Sequence, residues 1–145
     1  MKDIQFLSIL MAERYLRHHK GENLAVISMV TPGSENIVKE SFGHLPNFLE
    51  CVFYDISLIE YPEAEIDGFK CFDESMALEI IEFVERVKDS VDEIVVHCEA
   101  GVSRSSAVAK FISDAYFPDI QVKTYGVYNR YVHSLLEKVK NGNIA

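Results

Sequence analysis

Apolar positions along this chain fall into two periods. Short runs rich in Ile, Val and Phe, namely Ile4 to Leu7, Leu24 to Met29, Cys51 to Tyr54 and Ile94 to Val96, have the length and branching of buried strands. Between the last two, Phe72, Met76, Ile80, Phe83, Val84 and Val87 recur three and four residues apart, which predicts an amphipathic helix capped by Asp73. Ala107, Val108, Phe111, Ile112 and Ala115 form a second such stripe, which Pro118 terminates. A third helix is expected after Asn129, with Val132, Leu135, Leu136 and Val139 inward and Gly142 beyond its end. Strands alternating with helices predict an α/β fold. The expectation is a single compact domain over residues 1–145, with a central, mostly parallel sheet of four or five strands flanked by helices. The longest predicted connection lies between Asp55 and Phe72, and no repeat, low-complexity stretch or linker divides the chain.

Length and composition narrow the class. The 145 residues suit one hydrophobic core, since domains usually run to roughly 100–150 residues. Hydrophobic residues make up 48% and charged residues 26%, a globular balance. The opening residues hold one short apolar run flanked by acids, without a basic lead or a small-residue cleavage site, so no export signal is expected. No window approaches the roughly 18 consecutive apolar residues of a membrane span, and no association with a bilayer is expected. Cys51, Cys71 and Cys98 cannot all pair with one another and form no Cys-x-x-Cys grouping, which predicts a reduced, cytoplasmic thiol protein. A formal net charge of −9 disfavours nucleic acid and anionic lipid as partners, yet leaves room for a local site that captures one phosphate group. A monomer is expected.

The chemistry concentrates where the fourth strand gives way to the second helix stripe. The segment Ile94-Val95-Val96-His97-Cys98-Glu99-Ala100-Gly101-Val102-Ser103-Arg104-Ser105-Ser106 passes from a strand at 94–97, through a short loop containing glycine, into a helix at 104–116. Backbone N–H groups of Glu99, Ala100, Gly101, Val102, Ser103 and Arg104 would converge on the loop's centre, with the partial positive charge of the helix start behind them. Such a cradle accepts a phosphate dianion without any lysine. The same field favours thiolate over thiol at Cys98, which opens the loop, and so makes it a nucleophile. Arg104 closes the loop, and its planar guanidinium can hold two phosphate oxygens at once. Cysteine and arginine six positions apart prove little by spacing alone. The preceding histidine, Gly101, the hydroxyl after the arginine, the apolar strand and the helix all agree.

The string His-Cys-Glu-Ala-Gly-Val-Ser-Arg-Ser over residues 97–105 resembles the His-Cys-x5-Arg-Ser/Thr active-site loop of the protein-tyrosine and dual-specificity phosphatases, and matches it at every defining position. Leu24-Ala-Val-Ile-Ser with Thr31-Pro-Gly, then Phe53-Tyr-Asp55 and the amphipathic helix, extend the likeness to small bacterial and phage members over roughly residues 22–140. The resemblance implies that Cys98 attacks phosphorus to give a cysteinyl-phosphate, which water hydrolyses, with no metal or cofactor. It implies that Ser105 steadies the Cys98 thiolate as leaving group, beside the alternative that Ser105 caps the helix. His97 is expected to order the loop by hydrogen bonding rather than to transfer protons, or else to be a satisfied core histidine.

The family's general acid is an aspartate on a mobile loop upstream of the cysteine. Three carboxylates compete for that role. Asp55 ends the third predicted strand and fits the placement best; Asp67, before Gly68, lies at a spacing more typical of dual-specificity members; Glu63 follows Tyr61-Pro62, a loose likeness to a tryptophan-proline-aspartate motif. The loop's variable positions carry no lysine, which argues against an inositol lipid. The acidic chain argues against RNA 5′-triphosphates. Phosphotyrosine, phosphoserine or phosphothreonine in proteins, or a small phosphate ester, is the expected substrate. Tyr61, Phe69 and Tyr125 are candidates to stack on a phosphotyrosine ring, or else belong to the core. Two other classes stay open: a phosphate-binding module that recognises phosphorylated partners without turnover, and a rhodanese-like sulfurtransferase.

Overall fold

The computed structural model describes residues 1–142. Four strands, β1 (Asp3–Leu7), β2 (Leu24–Val30), β3 (Phe48–Val52) and β4 (Glu93–His97), form one all-parallel sheet in the order β1-β4-β2-β3. Five helices among the described residues flank it: α1 (Ile9–His18), α2 (Ile37–Phe42), α3 (Glu74–Val87), α4 (Arg104–Tyr116) and α5 (Arg130–Lys140). The α/β expectation therefore holds, with four strands rather than five and none antiparallel. The third strand starts and ends earlier than its apolar run: it pairs with β2 from Phe48 to Val52, the Phe53 amide makes one last bond to the Val30 carbonyl at 3.0 Å, and Tyr54 turns away to Lys70.

Alternation across the pleat divides the interior into two layers. Ala25, Ile27, Met29, Ile94 and Val96 face the larger core, where they meet the apolar faces of α3, α4 and α5. Leu24, Val26, Phe48 and Val95 face the smaller one, against Ala12 and Leu16 of α1 and Val38 and Phe42 of α2. β2 is buried along its whole length, as a central parallel strand covered on both sides must be. Asp73 caps α3 by accepting from the Met76 amide at 2.9 Å, and Asn129 caps α5 by accepting from the Val132 amide at 3.1 Å.

The two helices of the smaller layer were not anticipated from the sequence. In α1, Leu10 and Met11 are exposed while Ala12 and Leu16 are buried, so its apolar letters do not mark its inner face. α2 has six residues and only the pair Val38 and Phe42 inward. The long connection after β3 is compact: Tyr54 N–H donates to the Lys70 carbonyl at 2.8 Å and Phe69 N–H to Ala64 at 3.0 Å, so the segment closes on itself as an Ω-type loop. Among the described residues no helix is long and apolar enough to cross a membrane.

β4 lies between β1 and β2, so the loop leaving its carboxyl end opens at the centre of the sheet's rim, where open α/β sheets place their ligands.

Candidate active site

The 98–103 loop is built against the β1–α1 turn. Cys98 N–H donates to the Leu7 carbonyl at 3.3 Å, and Ile9 N–H donates to the Glu99 carbonyl at 3.2 Å. Gly101 sits at φ +73°, in the left-handed region that favours glycine, with its α-carbon pressed onto the Leu7–Ser8 backbone. Gly101 N–H turns inward and donates to Cys98 Sγ at 3.1 Å, while Ser105 Oγ lies 3.2 Å from the same sulfur. The cysteine is 2% exposed, and these two donors are the ones that would hold negative charge on its sulfur. The amides of Ala100, Val102 and Ser103 donate to no protein acceptor among the described residues, which leaves them available to an anion.

Ser105 is the second residue of α4, and the N-cap position belongs to Ser103, whose side chain makes no capping bond. Ser105 is therefore not the N-cap of α4, and its buried hydroxyl lies against the sulfur.

Arg104 is held by three acceptors and offers the remainder of its fork. Nη1 donates to the Phe53 carbonyl at 2.7 Å and to Thr31 Oγ1 at 3.2 Å, and Nη2 donates to Glu99 Oε1 at 3.2 Å. The residue is 5% exposed, yet its Nε has no hydrogen-bond partner. A buried N–H on a charged group is costly to leave unpaired. An oxyanion lying in the amide cradle is the ligand that would satisfy it. Glu99 contributes its backbone to the loop but turns its side chain to Arg104 and to the Thr31 amide, at 2.7 Å. Hydrogen bonding to Thr31, aided by Arg104, holds the Glu99 carboxyl below the ordinary range despite its partial burial.

His97 lies beneath the loop, fully buried. Its Nδ1 is 3.2 Å from the Cys98 carbonyl oxygen, which can only accept, so Nδ1 carries the proton. Nε2 then accepts from Ser28 Oγ at 2.6 Å, and Ser28 in turn accepts from Asn36 Nδ2 at 2.8 Å. Burial, with Arg104 nearby, lowers the imidazole's pKa from 6.5 to about 4, so His97 is neutral and orders the loop's first carbonyl.

The three candidate acids are placed differently. Asp55, just past β3, touches the loop: Ser103 Oγ donates to its Oδ1 at 2.9 Å and Asn129 Nδ2 at 3.0 Å. Asp67 accepts from the Tyr61 hydroxyl inside the 54–70 loop, and its amide donates to the Glu63 carbonyl at 2.9 Å. Neither Asp67 nor Glu63 makes a hydrogen bond to the 98–105 segment among the described residues. Of the three aromatic candidates, Tyr61 packs on Phe69, whereas Tyr125 is 87% exposed.

Cys51 lies apart from this chemistry. β2 runs between Cys51 and β4, so two strand spacings, about 10 Å, separate Cys51 from Cys98, beyond the roughly 7 Å that a disulfide can bridge. Burial pushes the Cys51 thiol up to about 12, and burial also raises Cys71. Among the described residues no three His, Cys, Asp or Glu side chains converge as a metal site requires.

Sequence reasoning missed three contributors. Ser28 and Thr31 entered the sequence reading only as part of the likeness over residues 24–33 and Asn129 only as a helix start; their roles arise from strands and helices that the fold alone brings together.

No family model matches the chain. No curated protein matches it in sequence. Solved structures do match in fold. The human tyrosine phosphatase-like serine/threonine/tyrosine-interacting protein superposes with a TM-score of 0.59 at 16% identity, over 98% of this chain and 93% of that one. TpbA of P. aeruginosa gives 0.43 at 13% identity over 95% of this chain and 66% of that one, and human DUSP28 gives 0.46 at 15% identity over 97% and 92%. The chain has the phosphatase-like fold that the string at residues 97–105 led one to expect.

Proposed function

On the fold it shares with a human tyrosine phosphatase-like protein, we propose that this chain is a cysteine-dependent phosphatase acting on phosphorylated protein side chains. One observation carries the reading: the buried Arg104 Nε has no protein partner, and it belongs to the same loop whose floor is Cys98 Sγ and whose Ala100, Val102 and Ser103 amides are unspent. An incoming phosphate completes both. In the first step the Cys98 thiolate forms a bond to phosphorus while the bond to the leaving oxygen breaks, and Asp55 gives that oxygen its proton. In the second step water attacks the cysteinyl-phosphate, Asp55 takes the water's proton, and the sulfur departs as a thiolate stabilised by the Ser105 hydroxyl and the Gly101 amide. Arg104 and the loop amides stabilise the transferring group in both steps. Three free, buried cysteines fit a reducing, cytoplasmic setting.

A second reading is favoured by the human protein of similar fold, which is named as a phosphatase-like, interacting protein. The same cradle would then bind a phosphorylated partner without turnover. The contact between Ser105 and the sulfur supports the enzyme, since a hydroxyl that stabilises a departing thiolate has no use in a binding module or in sulfur transfer. Phosphate release from phosphotyrosine and phosphoserine peptides by wild type and Cys98→Ser tests the choice. Turnover by wild type, with none by Cys98→Ser although vanadate still binds, is the expected result. Peptide binding without release by wild type would favour the module, and residual turnover by Cys98→Ser would sink the nucleophile assignment.

A further inference from the structure

We propose that Asn129 is a positioning residue for the general acid: it fixes Asp55 Oδ1 as an acceptor, so that Oδ2 alone carries the transferred proton. The proposal rests on the phosphatase reading and adds to it which oxygen acts and what aims it.

The argument starts from the valence of one oxygen. Ser103 Oγ and Asn129 Nδ2 both donate to Asp55 Oδ1, at 2.9 and 3.0 Å. A carboxyl oxygen has two lone pairs in its plane, and here both are taken. A proton on Oδ1 would expel one of the two donors, so the acid form of Asp55 is protonated on Oδ2. When the substrate's P–O bond breaks, the proton leaves Oδ2 for the leaving oxygen; when water attacks the cysteinyl-phosphate, the proton lost by water returns to Oδ2. Oδ1 remains an acceptor throughout, and the carboxyl keeps its aim through both steps.

Asn129 is built for this purpose and buried, at 6% exposure. Nδ2 also donates to the Ile56 carbonyl at 3.2 Å, which uses the second hydrogen of the amide. The backbone N–H of Asn129 donates to the Ser103 carbonyl at 3.1 Å, and Oδ1 accepts from Val132 N–H at the first turn of α5. One residue thus joins, through its side chain, the acid, the residue after it and the start of a helix, and, through its backbone N–H, the end of the phosphate loop. Asp55 is anchored to the loop by bonds internal to the protein. Its aim is set in advance, and the 57–70 segment can move without carrying the acid away.

Asn129→Ser separates the two duties of this residue. Serine retains an oxygen for the Val132 amide, so α5 stays capped, but the amide donors to Asp55 and Ile56 are lost. The experiment compares kcat for an alkyl phosphate or phosphoserine peptide with kcat for an activated aryl phosphate, in wild type, Asn129→Ser, Asp55→Asn and the double variant. The loss in Asn129→Ser should be about tenfold greater on the poor leaving group than on the activated one, and the double variant should show the ratio of Asp55→Asn alone. Equal losses on both substrates, or ratio effects that multiply in the double variant, would overturn the proposal while leaving the phosphatase reading intact. Absence of phosphate release by wild type would overturn both.

Discussion

Gly101 and Ser8 meet backbone to backbone: a β-carbon on Gly101 would stand 2.9 Å from Ser8 Cα and 2.7 Å from the Leu7 carbonyl carbon. The tip of the phosphate loop is therefore pressed onto the turn that starts α1, whose N-cap is Ser8. This contact and the positive φ are independent reasons for glycine at one position. Gly101→Ala should destabilise the fold by about 2 kcal/mol or more, through strain and overpacking, and should depress turnover further than the stability loss explains, because the Gly101 amide that faces Cys98 Sγ moves with it. Denaturant unfolding together with steady-state rates checks both parts. A variant of wild-type stability would show that the turn yields easily.

Arg104→Lys keeps the charge and loses the fork. The guanidinium divides its donors between Phe53 O, Thr31 Oγ1 and Glu99 on one side and the cradle on the other. A lysine ammonium cannot serve both. Turnover should fall by roughly 10²- to 10³-fold, and vanadate affinity should weaken in parallel. An unchanged rate would mean that the guanidinium faces elsewhere.

The stability of the fold should fall in mild acid on account of His97. In the folded chain its pKa is about 4, against 6.5 when unfolded, because burial disfavours the imidazolium. Between these two values the unfolded chain binds the proton and the folded chain does not, so stability rises with pH across the window and is lost as pH falls from 6.5 towards 4. The full difference is on the order of 3 kcal/mol. Unfolding free energies measured at pH 7 and pH 4.5, for wild type and His97→Asn, would isolate this contribution. The variant should show a shallower acid loss; identical profiles would count against the buried, neutral imidazole.

The loop chemistry was legible because it lies contiguously in sequence. Cys98, Gly101, Arg104 and Ser105 fall within eight residues between a strand and a helix, so pattern alone could place them. What surrounds them was not legible, because it converges from distant elements. Thr31 follows β2, Phe53 follows β3 and Asn129 precedes α5, and each reaches the loop only through the order β1-β4-β2-β3. Periodicity found α3, α4 and α5, whose inner faces are wide; α2, with six residues and two buried positions, is too short to show a period, and α1 buries only Ala12 and Leu16 while exposing Leu10 and Met11, so its apolar letters do not single out the buried face. The same difficulty left the acid open among Asp55, Asp67 and Glu63, since spacing along the chain cannot say which turn folds back onto the loop.

Geometry now separates these carboxylates, and leaving-group dependence is the measurement that follows from it. Asp55 Oδ1 is bonded to Ser103 of the loop, whereas Asp67 is occupied by the Tyr61 hydroxyl within the 54–70 segment. Protonating the leaving oxygen matters most when that oxygen is a poor leaving group. Asp55→Asn should thus slow an alkyl phosphate or phosphoserine peptide by about 10²-fold or more relative to an activated aryl phosphate. Asp67→Asn should leave that ratio near wild type. A folding defect would lower both substrates together, so the ratio, not the rate, is the quantity to read. If Asp67→Asn steepens the dependence and Asp55→Asn does not, the 54–70 segment must refold over the loop to deliver its carboxylate, and the contact between Ser103 and Asp55 would be structural only.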